Sequence, residues 1–330
     1  MRKITFCEAT LEAMREEMKR DNRVFVMGED IARQGGIFGQ FAGLADEFGL
    51  ERVRDTPISE TSIVGGGVGA ALAVMRPVVD MHFADFLGVA MDEVFNQMAK
   101  ARYMSGGQAR VPVVVRAPDG ITSSMAAQHS QCVESWFMHI PGIKVVIPSN
   151  PADAKGLLKA AMRSDDPVIY FEHKMLFGQT GEVPDGDYIT PIGKANVARG
   201  GNDLTVVSYS YYMTKVLKAA EVLAKKGIHA ECIDLRTISP LDMETIYTSV
   251  RKTGKLLIVH EVVKQGGVGA EIAAKVAEDE FQSLKAPIVR LGAPFVPVPF
   301  SPVLERLVKI EVDDIVSAAV NLAGQQAHGT

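Results

Sequence analysis

The chain has 330 residues, 47% of them hydrophobic and 23% charged, with a formal net charge of −5. Single cores seldom grow beyond about 250–300 residues, so this length favours two domains. The acidic balance excludes a general phosphate-backbone binder, which needs a basic face.

In chain order, apolar runs rich in β-branched residues read as strands: VFVM (24–27), PVVDMHF (77–83), VPVVVR (111–116), KVVIPS (144–149) and PVIYFE (167–172). Helical patterns, VAMDEVFNQMAKARYM (89–104) and ADAKGLLKAAMRS (152–164), separate the later ones. Nearly continuous apolar strands alternating with helices predict an α/β fold, a parallel sheet covered on both faces. Around FGQTGEVPDGDYITPIG (177–193) periodicity lapses into glycines, prolines and acids, as in an exposed crossing between domains. Alternation then resumes with DLTVVSYS (203–210), a helix through KVLKAAEVLAKKG, HAECIDL (229–235), a helix near 242–252, KLLIVHE (255–261), a glycine-led helix, PIVRLG (287–292) and a closing helix in EVDDIVSAAVNLAG. The expected division is a first domain over 1–177, a linker over 178–194 and a second domain over 195–330.

Cys7, Cys132 and Cys232 are widely spaced and odd in number, giving neither a disulfide framework nor a zinc set. The opening MRKITFCEATLEAMREEMKRD has no signal-peptide core, and no run reaches the roughly 20 apolar residues of a membrane span. A cytoplasmic protein is expected.

In DTPISETSIVGGGVGAALAV (55–74), Glu60 stands just before a glycine run. GGGVGA formally fits a dinucleotide-binding fingerprint, with Asp85 at a suitable distance for a ribose contact. A nicotinamide dehydrogenase is therefore a rival reading, although Pro57 and the polar ISETS stand where a strand should feed the turn. Alternatively, the glycines let a helix start against neighbouring backbone, and the poorly hydrated Glu60 then shares a proton with a ring nitrogen. An exposed loop acid is the plainer option. The second polar cluster, AAQHSQCVESW (126–136), centres on His129, whose imidazole suits proton transfer at neutral pH. His260 ends a predicted strand, a common place for active-site residues in α/β sheets. His328 and the remaining histidines have no comparable context.

VFVMGEDIARQGGIFG, RVRDTPISE, RPVVDMHFADF, NQMAKARYMSGG, AAQHSQ, PGIKVVIPSNPADAKGLL, IDLRTISPLD and VPVPFSPVLE, in this order, resemble the β subunit of thiamine-diphosphate-dependent E1 components. These belong to 2-oxo acid and acetoin dehydrogenase complexes. The likeness spans about Arg2 to Gly324. It implies a pyrimidine-binding, transketolase-like first domain and a transketolase C-terminal-like second domain. It also implies an α2β2 heterotetramer with E1 α subunits, a lipoylated E2 acyltransferase as acceptor, and thiamine diphosphate held between α and β.

By the same likeness, Glu60 hydrogen-bonds the aminopyrimidine N1′, Ile58 and Phe86 pack beside that ring, and His129 handles protons during acyl transfer to the lipoyl arm. Phe86 stands where Tyr is common. The family's G-D-G magnesium and diphosphate signature is missing, which implies that Mg2+ is bound by the α chain. A potassium-type (K+) site is implied at Val113, Ala161, Met162, Ser164 and Asp166, the last two departing from commoner residues. DTPISET and FEHKMLF look closer to acetoin-type than to pyruvate-type chains, with branched-chain 2-oxo acids third. A non-catalytic assembly subunit is the alternative within the family.

Overall fold

A computed structural model describes residues 1–325. His328 and the last five positions of the second expected domain lie outside the described residues. A seven-stranded sheet runs, from one edge to the other, through Thr237–Ser239, Lys144–Val146, Val168–His173, Val114–Asp119, Arg76–Asp80, Val24–Gly28 and Val53–Asp55. Six strands are parallel; Thr237–Ser239 is antiparallel to Lys144–Val146. Val78, Val79, Val115, Val168 and Ile169 are wholly buried because helices cover both faces, which is why these strands read as unbroken apolar runs.

The second sheet follows the order Val289–Ala293, Leu256–Val263, Leu204–Ser208, Ala230–Asp234 and Asn196–Arg199, parallel except for the last strand. One apolar cluster extends from Val115, Phe137 and Ile147 in the first half to Val207, Ile233 and Ile258 in the second. The two halves therefore share a dry seam. Thr237–Ser239 deepens that seam: it comes from the second half, yet it closes an edge of the first sheet that would otherwise offer unpaired backbone.

The expected linker is not structureless. Its Thr180–Val183 pairs antiparallel with Arg2–Thr5 at the chain start. Helix Phe6–Arg20 follows, opened by a capping box between Thr5 and Glu8, and packs against helix Pro151–Arg163. Lys155 and Lys159, almost fully buried, each reach Glu16 at 2.6 Å, and Asp187 of the linker accepts from Lys159 at 2.5 Å. Asp187, which looked like exposed-loop composition, helps neutralise the buried Lys159.

One helical expectation changes form. The stretch 89–104 opens after a 3-10 turn, Ala84–Gly88, and contains a π-helical segment, Glu93–Met98, before the short helix Ala101–Met104. The Ala99 N–H donates to the carbonyl of Val94, five residues back, which widens the turn. Among the described residues no helix is long and apolar enough to cross a membrane.

Candidate active site

Glu60 is the first residue of helix Glu60–Leu72, which follows the edge strand Val53–Asp55. An acid in the first turn suits the positive end of a helix. The three consecutive glycines lie a full turn inside this helix, not in a strand-to-helix turn. That placement removes the dinucleotide fingerprint and with it the nicotinamide reading. Asp85 is likewise committed elsewhere, accepting from Gln131. Gly67 is needed for packing: a Cβ there would lie 2.7 Å from Val79 Cγ1. Gly66 and Gly69 face outward and are exposed.

Glu60 itself is half-buried, so the poorly hydrated setting expected for it is not complete within this chain. Ile58, two residues earlier, is 81% exposed, and Leu72, Val74 and Val89 are also uncovered. Beneath this edge, burial raises the Glu29 carboxyl; nearby His82 opposes the shift, and the Glu60 charge adds to it. Glu29 Oε2 lies 3.6 Å from His82 Nδ1. Sequence reasoning missed both residues, because His82 reaches Glu29 from a different strand.

His129 sits in an irregular loop after strand Val114–Asp119. Its ring meets Phe83 edge-on at 4.7 Å between centroids and Phe86 at 5.4 Å, so Phe86 and His129 do come together. Neighbouring His82 packs on Phe83 at 5.8 Å, which links Glu29 to the aromatic rings through contacts. Asp85 Oδ1 accepts from the backbone N–H of Gln131 at 3.1 Å and from its side chain at 2.9 Å. Lys174, buried and overlooked in the sequence, donates to the carbonyl of His129.

The other end of the loop is held by the second half of the chain. Glu261 accepts from the Ile121 N–H at 2.8 Å and pairs with His173 at 2.5 Å. Met175 N–H donates to His173 Nδ1, so Nε2 is the nitrogen that carries the proton toward Glu261. Burial works against the Glu261 charge, but His173 holds its carboxyl below the ordinary value. Glu305 accepts from the Ser124 N–H at 2.7 Å.

Deeper in the seam, Asp119, Cys132 and Glu134 bring one potential ligand atom each within 4.8 Å of the others. Chain spacing hid this cluster. Burial pushes Glu134 up to about 7, with Tyr209 O–H donating to it at 2.8 Å. Burial raises Asp119 and the Cys132 thiol well above their ordinary values. Metal ligation needs deprotonated donors, and this setting favours their neutral forms. Burial therefore works against a metal at this cluster.

At the positions expected for a potassium-type site, several carbonyls accept hydrogen bonds within the chain. Arg76, nearly buried, donates to the carbonyls of Met162 at 3.0 Å and Ser164 at 2.8 Å. The carbonyl of Val113 accepts from Val168 N–H and that of Ala161 from Ser164 N–H. Asp166 is paired with Arg102 and Lys144. Arg76 thus places a guanidinium beside two of the five expected positions. His260 departs from expectation: it lies inside strand Leu256–Val263, fully buried, and burial lowers it to about 4. It is a neutral core residue.

A cleft of about 660 Å³ separates part of the His129 loop, including Gln128 and Gln131, from Phe295 and Val298 of the second half. Ile58, Glu60, Phe86 and His129 do not line it. Phe83, Phe86 and His129 instead pack on one another, outside this cleft.

Comparison with known proteins identifies both halves of the chain. Residues 2–179 match the transketolase pyrimidine-binding domain, and residues 193–315 the transketolase C-terminal domain. The 2-oxoisovalerate dehydrogenase subunit beta of Bacillus subtilis is 48% identical, over 97% of this chain and 98% of its own length. The pyruvate dehydrogenase E1 component subunit beta of Rhizobium meliloti is 47% identical, over 96% of this chain and 69% of its own. The acetoin:2,6-dichlorophenolindophenol oxidoreductase subunit beta of Cupriavidus necator is 47% identical, over 96% and 97%. A solved structure titled split gene transketolase, inactive beta4 tetramer, superposes with a TM-score of 0.81 at 23% identity, covering 98% of this chain and 99% of that one. That last likeness speaks to the fold alone.

Proposed function

Since this chain belongs to the family of E1 β subunits of 2-oxo acid and acetoin dehydrogenases, built of two transketolase-type domains, we propose that it supplies half of a thiamine-diphosphate site completed by an α chain. The observation that carries this reading is the uncovered edge at Glu60. A half-buried acid stands beside the 81% exposed Ile58 on a helix whose outward glycines permit close approach of another backbone. The residues fit the cofactor's pyrimidine: Ile58 and Phe86 offer apolar contact, and Glu60 a carboxyl for a ring nitrogen.

Thiamine diphosphate, when bound, supplies the electron sink for breaking a carbon–carbon bond next to a carbonyl. Glu60 holds a proton at the pyrimidine nitrogen. Covering its helix face with an α chain excludes water and strengthens that hydrogen bond. His129, boxed by Phe83 and Phe86, donates and accepts protons as the acyl unit passes to a lipoyl group on E2. Mg2+ is assigned to the α chain.

Acetoin is the favoured substrate and pyruvate the next. Overall identities of 48%, 47% and 47% to the branched-chain, pyruvate and acetoin relatives do not rank them.

The test is reconstitution with the α chain from the same locus. Thiamine-diphosphate-dependent reduction of 2,6-dichlorophenolindophenol is expected, compared among acetoin, pyruvate and a branched 2-oxo acid. No turnover with any of them, in a complex that assembles and binds the cofactor, would leave the assembly-subunit reading in its place.

A further inference from the structure

Lys174 is the first residue of a 3-10 turn directly after strand Val168–His173, and it is 7% exposed. Burying an ammonium is costly unless its donors and its charge are answered. Its hydrogen bond goes to the backbone carbonyl of His129, 45 positions away in the chain. The same ammonium lies 5.2 Å from the centre of the Phe83 ring, a cation–π distance, and Phe83 is the ring that meets the imidazole edge-on. Burial lowers the Lys174 pKa, while Asp119 and Asp85 oppose that shift. Asp85 also holds Gln131, two residues past His129, through two hydrogen bonds.

The loop needs such fixing. Residues 121–133 contain no helix or strand, and Ser124 and Ala126 adopt positive φ of 54° and 58°. The second half of the chain pins its beginning through Glu261 and Glu305. Lys174 ties its His129 end to the first sheet. An apolar side chain would fill the space under Phe83 at lower cost, but it could not hold a carbonyl.

We propose that Lys174 is the positioning residue of His129, fixing the histidine's carbonyl and the face of Phe83 so that the imidazole points steadily toward the reacting acyl group. The inference rests on the reading of His129 as the proton carrier in acyl transfer. Lys174 does not itself touch the substrate. A displacement of about 1 Å at a proton carrier is enough for a large loss of rate.

The experiment uses the reconstituted α and β complex with a lipoylated E2 domain. Lys174→Met, Lys174→Arg, His129→Ala and the double variant His129→Ala/Lys174→Met are compared by lipoyl-coupled kcat, dye-linked kcat and melting temperature. In Lys174→Met the ratio of coupled to dye-linked kcat is expected to fall about tenfold or more, the range typical of supporting contacts. Lys174→Arg, which keeps a charged donor, should recover part of that loss. In the His129→Ala background, Lys174→Met should change the ratio less than about twofold, because residues acting as a unit are non-additive.

Equal loss of both rates together with a lowered melting temperature would make Lys174 merely structural. Full additivity in the double variant would also overturn the proposal. If His129→Ala alone left the coupled rate intact, the role given to His129 would fall instead, and that outcome is distinguishable.

Discussion

Around Glu60 the chain leaves Ile58, Leu72 and Val89 open to solvent; around His129 it closes two aromatic rings and a buried lysine over the loop. The helix carrying Glu60 spends one glycine, Gly67, on its own sheet and turns Gly66 and Gly69 outward. The loop carrying His129 is tied from both halves of the molecule by Lys174, Asp85, Glu261 and Glu305. An edge with small residues and uncovered aliphatics is a surface that awaits a partner. The His129 loop is anchored by side chains of this chain alone, although the buried Asp85 Oδ2 and Ser130 hydroxyl find no partner among the described residues. The comparison therefore separates what this polypeptide supplies from what it must borrow.

The largest expected effect breaks the comparison at its open side. Glu60→Gln in the reconstituted complex should lower dye-linked kcat by about 10²–10⁴-fold, the usual worth of a positioned proton-transfer group. Because Glu60 is half-buried, the melting temperature of the free chain should move little. His129→Ala should lower the ratio of lipoyl-coupled to dye-linked kcat by about 10²-fold. Equal losses in the two assays would place both residues in one step and erase the division of labour.

The third prediction concerns the seam below the His129 pocket. Glu134 is raised by burial from 4.5 to about 7. Below pH 4.5 both folded and unfolded chains carry this proton. As pH rises from there toward 7 the unfolded chain releases it first, so folded stability falls across that window and levels off above it. Glu134→Gln keeps an acceptor for Tyr209 and removes the ionisation. It should stabilise the protein by on the order of 2–3 kcal/mol at pH 8 and by almost nothing at pH 4.5, read from denaturant melts. A benefit independent of pH would mean that Glu134 ionises freely in the folded state.

The smallest effect sharpens the contrast between the glycines. Gly67→Ala should cost about 1–3 kcal/mol, because its Cβ would crowd Val79. Gly69→Ala meets nothing within 4 Å and should stabilise the free chain by up to about 1 kcal/mol while weakening its association with the α chain. Analytical ultracentrifugation and thermal melts read the two properties separately. If Gly69→Ala left association untouched, that helix face would not be the α-chain contact.

How much of this was legible in the sequence varied with the range of the interaction. The central strands read directly, since Val24, Val78, Val115 and Val168 are buried on both faces and make unbroken apolar runs. Thr237–Ser239 did not, being three residues whose partner strand lies about ninety positions earlier. The π-helical turn at Glu93–Met98 was missed because an apolar pattern of nearly helical period cannot distinguish one ring size from another. Glu60 and His129 stood out through motif likeness. Glu29, His82, Lys174 and Glu261 could not, because their roles come from contacts such as His173 to Glu261, 88 positions apart. The same holds at the positions named for a potassium-type site: nothing local to Met162 or Ser164 reveals that Arg76 donates to their carbonyls.

The central claim, that this chain holds only half of the cofactor's site, is tested most directly by calorimetric titration of thiamine diphosphate with Mg2+ into the free chain, the α chain and their complex. Saturable binding in the complex, with none of comparable affinity in the free chain, is the predicted result. Binding to the free chain as tight as to the complex would contradict it.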